Sequence, residues 1–170
     1  MTSYVVLLRA VNVTGNNTLP MSVLKSICEE AGFLSVRTYI ASGNVIFKSK
    51  KSVAQVKALL EPALAAHAGK PIGVLVRTAA EMAAVLAANP FPHTHPGKTV
   101  AIFLDEPPAS DCLGSLKNHT QEELRLGHRE IYVYYPDGQG QSRLIILAAK
   151  AGTARNLNTV AKLAELAANL

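Results

Sequence analysis

Short apolar runs and helically spaced apolar positions alternate along the first 78 residues. Four runs have the length and β-branched character of buried strands: 4–8, 36–40, 45–47 and 72–76. Helical spacing predicts one helix from Pro20 to Gly32 and another that begins at a Ser52–Gln55 capping box. Residues 41–44 carry the glycine and asparagine of a hairpin turn. The predicted order, β-α-β-β-α-β, is the split βαβ arrangement of ferredoxin-like domains.

The second half is predicted to follow a similar order, β-α-β-β-α, with altered ends. A capping box of Thr78 and Glu81 opens a helix that stops before Pro90. The later elements are predicted as a strand at 99–104, a short helix at 110–116, a hairpin of 123–126 with 130–135, a helix at 142–150 and a last helix from about Arg155. The sequence therefore predicts an α+β fold of two ferredoxin-like (βαββαβ-type) halves, residues 1–78 and 79–170, packed into one compact body.

The composition is typical of a soluble protein from a reducing compartment. The chain has 170 residues, of which 49% are hydrophobic and 17% charged, enough for a core without disulfides or metals. No apolar run approaches the ~20 residues that span a bilayer, so no membrane partner is predicted. The only two cysteines, Cys28 and Cys112, fall in different halves and are predicted not to be bonded to each other. These features favour a cytoplasmic protein.

The net charge of +5 favours anionic partners. Nucleic acid is one such partner, but only 5% of the residues are aromatic and there is no tryptophan. Single-stranded nucleic acids are bound largely by stacking on aromatic side chains, so this composition supports a nucleic-acid partner weakly. The 17 basic residues are scattered along the chain, so a solvated basic surface with no specific partner is the interpretation that the charge favours most.

A first polar cluster follows the first predicted strand and contains Arg9, Asn12, Asn16 and Asn17. An arginine beside amide side chains can hold a carboxylate or phosphate through paired hydrogen bonds. The alternative is that the asparagines only serve a turn that needs positive φ. Asn44, in the hairpin turn, is a further candidate donor.

A second cluster is the glycine-bearing turn that contains Gly138, Gly140, Ser142 and Arg143. If a helix starts at Ser142, its backbone N–H groups can point at an anion. The turn does not match a dinucleotide or P-loop fingerprint, so no cofactor is predicted. The alternative is a plain loop with a serine helix cap.

A third cluster, residues 153–159, contains Arg155, Asn156 and Asn158. A helix start needs one capping residue, so the additional polar groups indicate contacts to a ligand or between the halves. The histidine pair of His93 and His95 lacks a third ligand nearby, and no metal site is predicted.

Several motifs, in order along the chain, resemble the family known as domain of unknown function 1697. They lie at residues 4–17, 19–21, 36–47, 76–78, 89–92, 135–138 and 153–159. The resemblance implies a two-part, ferredoxin-like α+β fold and implies no activity. The chain departs from the family pattern at Ala10 and Thr14, where glycine is usual, and at Leu157, where tryptophan is usual.

Three functional hypotheses follow. The first is a protein that binds a small anionic or phosphorylated ligand between its halves, with the three polar clusters converging on one face. The second is an enzyme that hydrolyses or transfers a phosphoryl or acyl group, since arginine and amide donors stabilise developing negative charge. The third is a nucleic-acid-binding protein. The sequence leaves open whether the protein is an enzyme.

Overall fold

The computed structural model describes residues 1–12 and 18–170. Asn16 and Asn17, two of the candidate ligand-binding residues, lie outside this description. The described chain divides into unit 1, formed by Met1–Met82 with Leu163–Leu170, and unit 2, formed by Ala83–Lys162. Within the described residues the fold is α+β, with two four-stranded antiparallel sheets and four α-helices. The predicted α+β class is therefore confirmed.

Unit 1 is built on the first of these sheets. Its elements are β1 (Thr2–Leu8), α1 (Met21–Glu30), β2 (Leu34–Tyr39), β3 (Asn44–Ser49), α2 (Val53–Ala68) and β4 (Val74–Thr78). The strands lie in the order β2-β3-β1-β4. Alternate residues of β1, such as Val6 and Leu8, pack in one core with Leu24 of α1 and Leu60 of α2. The predicted order of elements is confirmed, although the fourth strand begins two residues later than predicted.

The helix ends of unit 1 follow from local hydrogen bonding. After α1, Gly32 takes a φ of +89°, and the amide of Phe33 donates to the carbonyl of Cys28 at 3.2 Å. This arrangement satisfies carbonyl groups that the last helical turn leaves open, and glycine adopts it at little steric cost. Ser52 and Gln55 form the predicted capping box at the start of α2.

Unit 2 contains a sheet with the same internal order of strands. The remaining elements of the chain are α3 (Ala79–Ala87), β5 (Thr99–Phe103), β6 (Glu123–Leu126), β7 (Glu130–Tyr134), β8 (Thr153–Asn156) and α4 (Leu157–Ala168). The sheet order is β6-β7-β5-β8. Counted along the chain, each sheet thus places its strands as second, third, first and fourth. Thr78 and Glu81 form the predicted capping box of α3.

Three predicted helices of the second half differ in the structure. Residues 142–150 form no α-helix; Leu147–Ala149 is one 3₁₀ turn, and Ile145 bridges to Lys117. Cys112–Ser115 is likewise a 3₁₀ turn. The last helix begins at Leu157, because residues 153–156 pair with β5 as a strand. The pairing with β5 satisfies the backbone of this segment, and tertiary pairing of this kind overrides local helix preference.

Core predictions are confirmed at most positions. Leu24, Leu60, Val74 and Ile102 are buried, whereas Ile27 is half-buried and packs against the edge of the unit 1 core. Both cysteines are free thiols. In the described chain, every helix is too short or too polar to cross a membrane.

Ala10 provides a direct test of backbone conformation. Its φ is +57°, in the left-handed region where a Cβ atom is disfavoured. We expect Ala10→Gly to raise the free energy of unfolding by about 0.5–1 kcal/mol, because relief of the steric cost exceeds the entropy that glycine adds to the unfolded chain. Urea unfolding of both proteins measures this difference, and a loss of stability in the variant would contradict it.

Candidate functional site

A cavity of about 390 Å³ lies in unit 2, between residues 118–122, which precede β6, and residues 135–143, which follow β7. All of its lining residues belong to this unit. The volume is within the range of about 300–1,000 Å³ that is typical of small-molecule sites. The cavity is therefore large enough for a ligand of a few to a dozen heavy atoms.

Backbone contacts hold the two walls of the cavity together. The amide of Lys117 donates to the carbonyl of Ile145 at 3.1 Å, and the amide of Ile145 donates back at 2.9 Å. The side chain of Asn118 donates to the carbonyl of Arg143 at 3.3 Å. Gly138 allows the sharp turn, with a φ of +85° and its amide bonded to the carbonyl of Tyr135. The two walls are thus joined by one backbone pair and by one side-chain hydrogen bond.

Glu122 is the one buried carboxylate that lines the cavity, at 7% exposure. The Ser142 hydroxyl donates to its Oε2 at 2.6 Å, and the Thr120 amide donates to its Oε1 at 2.8 Å. The Thr120 hydroxyl is a third, longer donor at 3.3 Å. These bonds, that from Ser142 first, favour the ionised form and lower the pKa of Glu122 to about 2.

Glu122 forms no ion pair among the residues that the structure describes. In the ranges 1–12 and 18–170, no lysine, arginine or histidine forms an ion pair with its carboxylate. The charge is held by neutral donors alone. Burial, and then the negative charge of Glu122, raise the pKa of Tyr135 in the same wall. Tyr135 therefore remains a neutral hydroxyl at neutral pH.

The low pKa of Glu122 makes stability depend on pH. Because the pKa falls from 4.5 to about 2 on folding, the carboxylate stabilises the fold fully above about pH 4.5 and loses this effect as the pH falls towards 2. We expect Ser142→Ala to raise the pKa of Glu122, since it removes the shortest hydrogen bond. An NMR titration of the carboxyl carbon measures both values. A midpoint near 4.5 in the unaltered protein would contradict the assignment.

Basic and amide groups line the outer part of the cavity. Arg143 and His119 are exposed, and the imidazole Nε2 of His119 lies 2.6 Å from the carbonyl oxygen of Glu122. Asp137, also exposed, adds a second carboxylate. The cavity consequently combines a buried negative charge with a cation near solvent.

Of the second predicted cluster, Gly138, Ser142 and Arg143 line this cavity, and Gly140 lies in the same turn. The predicted mechanism for that cluster is wrong, because no α-helix starts at Ser142 to direct its N–H groups at an anion. Glu122, Tyr135 and His119 were not predicted. Glu122 adjoins a predicted strand and belongs to no motif, so only the fold brings it to Ser142.

The candidates of unit 1 take part in turn structure. The Asn12 side chain donates to the carbonyls of Leu19 and Ala41 and accepts from the amide of Leu19. Asn44 is fully buried and donates to the carbonyl of Tyr39 and the hydroxyl of Ser42. Arg9 is exposed beyond the end of β1. Asn12, which has a φ of +56°, thus has the contacts that the turn alternative predicts.

The third cluster is divided between strand and helix. Arg155 lies on β8 at 7% exposure and donates to the Thr153 hydroxyl at 2.7 Å; burial lowers the pKa of its guanidinium to about 10. Asn156 caps α4 by accepting from the amide of Thr159, and Asn158 is exposed. The predicted convergence of Arg9 with Arg155 joins residues of different units and stays a prediction.

Arg155 has a counterpart in unit 1. Arg77 lies opposite Val5 of β1, as Arg155 lies opposite Ala101 of β5, so both occupy the fourth strand facing the first. Each guanidinium donates to the carbonyl of the residue before it, at 3.2 Å from Arg77 and 2.9 Å from Arg155. A buried arginine at this place is thus a feature of both sheets.

A metal site is not evident in the described part of the chain, where no three His, Cys, Asp or Glu residues cluster.

Comparison with known families identifies a match: the model described as "Protein of unknown function (DUF1697)" matches residues 1–132. The chain belongs to this family. The resemblance seen in the sequence is thereby confirmed. The part of the chain that the DUF1697 model matches includes residues 118–122, which form one wall of the cavity. It ends before residues 135–143, which form the other wall.

A solved structure supports the fold over the whole chain. The conserved bacterial protein SP0830 from Streptococcus pneumoniae matches with a TM-score of 0.80 and 24% sequence identity, covering 98% of each chain. At this identity the likeness concerns the fold of this DUF1697 protein alone. No curated protein sequence matches the chain.

Proposed function

We propose that the protein binds a small anionic or phosphorylated ligand and that the cavity of unit 2 contributes to the site. The observation that carries the proposal is that Arg143, from the turn predicted to bind an anion, lines a cavity of ligand size. A guanidinium offers several N–H donors in a plane that matches a phosphate or carboxylate.

Charge balance decides what kind of anion can enter. Glu122 and Asp137 both repel an anion. Hydrogen bonds from Ser142 and Thr120 partly offset the charge of the buried Glu122, and solvent screens the charge of the exposed Asp137. Arg143 is exposed, so an anionic group bound there stays near solvent, where repulsion by these carboxylates is screened. Compact ligands with one anionic end are therefore favoured over polyanions.

A second candidate function is the hydrolysis or transfer of a phosphoryl or acyl group. The 2.6 Å contact between the Ser142 hydroxyl and Glu122 resembles a nucleophile beside a base. Against it, a carboxylate with a pKa of about 2 is a weak general base at neutral pH. Binding without turnover is accordingly the first proposal, and release of phosphate or acid from model esters would favour the second.

A ferredoxin-like architecture and a cytoplasmic location are also part of the proposal. The strand order of unit 1 and its two crossing helices support a ferredoxin-like assignment. For unit 2 the same strand order supports it, although a 3₁₀ turn stands in place of the first crossing helix. A cytoplasmic location is supported by the two free thiols.

Arg143→Ala tests the proposed function. We expect inorganic phosphate and ethyl phosphate to raise the melting temperature of the unaltered protein, and the variant to bind about tenfold or more weakly, because it loses charge-assisted hydrogen bonds. Arg37→Ala is the matched control, since Arg37 is an exposed arginine on β2 of unit 1. Equal stabilisation of all three proteins would show that phosphate acts on the general surface and would refute the site.

A further inference from the structure

Glu122 presents to the cavity a carboxylate that is held by neutral hydrogen-bond donors. The Ser142 hydroxyl donates to it at 2.6 Å, the Thr120 amide at 2.8 Å and the Thr120 hydroxyl at 3.3 Å. The backbone amide of Glu122 itself also favours the ionised form. These donors stabilise the negative charge but bring no positive charge to offset it. The carboxylate is thus an anionic group on the wall of the cavity.

The charge of Glu122 determines which ligand group suits this wall of the cavity. A buried carboxylate without an ion-pair partner is stabilised more by a positively charged donor than by a neutral one. In the described residues the protein supplies no such partner to Glu122. A ligand that brings its own cation into the cavity would complete the pair.

Arg143 and Glu122 present opposite charges to one cavity. Ser142, which donates to Glu122 at 2.6 Å, directly precedes Arg143 in the chain, so the two charges are attached to one short segment. Tyr135 adds a neutral hydroxyl with no hydrogen-bond partner among the residues described. This arrangement is complementary to a small molecule with an anionic group at one end and an ammonium group at the other.

We propose that the ligand of this cavity is a small amino-bearing anion, whose ammonium group binds Glu122 while its phosphate or carboxylate binds Arg143. The inference rests on the proposed function and narrows it from anions in general to zwitterionic ones. It assigns Glu122 the role of selecting the ligand, whereas Arg143 provides affinity for any anion.

Two matched pairs of probes test the proposal. Phosphoethanolamine is ethyl phosphate with an ammonium group in place of one terminal hydrogen, and 3-aminopropyl phosphate is related to propyl phosphate in the same way, with a longer spacer. We expect the amino compound of at least one pair to bind the unaltered protein about tenfold more tightly, measured by calorimetry. This comparison needs no variant, so a folding defect cannot obscure it.

Glu122→Gln is the decisive variant because glutamine keeps the shape and removes the charge. We expect it to abolish the preference for the amino compound and to leave ethyl phosphate bound at least as well. Glu123→Gln is the matched control: it removes the same charge one residue away, on an exposed side chain of β6 that does not line the cavity. It should keep the preference.

The outcomes separate the two proposals. If the alkyl phosphates bind and neither pair shows a preference, the assignment of Glu122 fails and anion binding stands. The assignment also fails if Glu123→Gln loses the preference as fully as Glu122→Gln. If none of the four phosphates binds, both proposals fail.

Discussion

Replacing Gly43 by alanine should lower the free energy of unfolding by about 2–5 kcal/mol. Gly43 has a φ of +89°, and a Cβ atom there would lie 2.5 Å from Cγ2 of Val11 and 2.9 Å from Cβ of Leu8. Both neighbours are buried in the unit 1 core and cannot move freely. Chemical unfolding followed by circular dichroism measures the loss.

Gly32→Ala separates the two causes of that loss. Gly32 has the same φ of +89°, but nothing lies within 4 Å of the position of a Cβ atom. Gly32→Ala should therefore lower the free energy of unfolding by only about 1–2 kcal/mol, which is the steric cost of the left-handed conformation itself. Equal losses at Gly43 and Gly32 would show that the hairpin accommodates the methyl group and that the contact with Val11 is not limiting.

Gly152→Ala should cost about 3 kcal/mol through steric overlap alone. Its φ is not in the left-handed region, yet a Cβ atom would lie 2.5 Å from the carbonyl oxygen of Phe103 and 2.8 Å from Cδ2 of Leu104. Relief requires the backbones of β5 and β8 to separate where Phe103 pairs with Thr153. We expect reduced hydrogen-exchange protection of β8 together with the loss of stability.

Gly114→Ala is the control for this second variant. Gly114 also lies outside the left-handed region and has open space around a Cβ atom, so its replacement should change stability by less than about 0.5 kcal/mol. If Gly152→Ala is equally mild, then β5 and β8 are not as closely packed as described.

Elements with local signals were predictable from the sequence. The capping boxes at Ser52 and Thr78 and the stop at Gly32 depend on residues within a few positions of one another, and all three occur as predicted. The 41–44 turn was predictable for the same reason, since flanking β-branched residues and a glycine specify a hairpin. Local chemistry is enough where the contacts are local.

The errors occur where distant pairing decides the structure. Residues 153–156 contain polar residues typical of a helix start, yet they pair with β5, some fifty positions earlier in the chain. Ile145 bridges to Lys117 in the same way, which prevents a helix over 142–150. The apolar spacing of that segment reflects packing of Leu144 and Ile146 against the unit 2 core. Helical spacing and irregular core contacts are not distinguishable from sequence in so short a segment.

Only one of the two walls of the candidate site was predictable from the sequence. The glycines and the arginine made the turn that contains Arg143 a candidate, because a turn is specified by residues that are adjacent in the sequence. Glu122 became recognisable only through Ser142, twenty positions away, whose hydroxyl reaches it at 2.6 Å. A single glutamate before a strand carries no signal of burial, and its low pKa arises from bonds that exist only in the folded chain.

Unit 1 draws its residues from two separated stretches, Met1–Met82 and Leu163–Leu170, and this has a consequence for the order of synthesis. A ribosome delivers all of Ala83–Lys162 before the residues that complete unit 1. All four strands of the first sheet are therefore synthesised before unit 2, whereas the last segment of unit 1 is synthesised after it. A nascent chain released after residue 82 should be more sensitive to protease in its first 82 residues than the same segment of the finished protein.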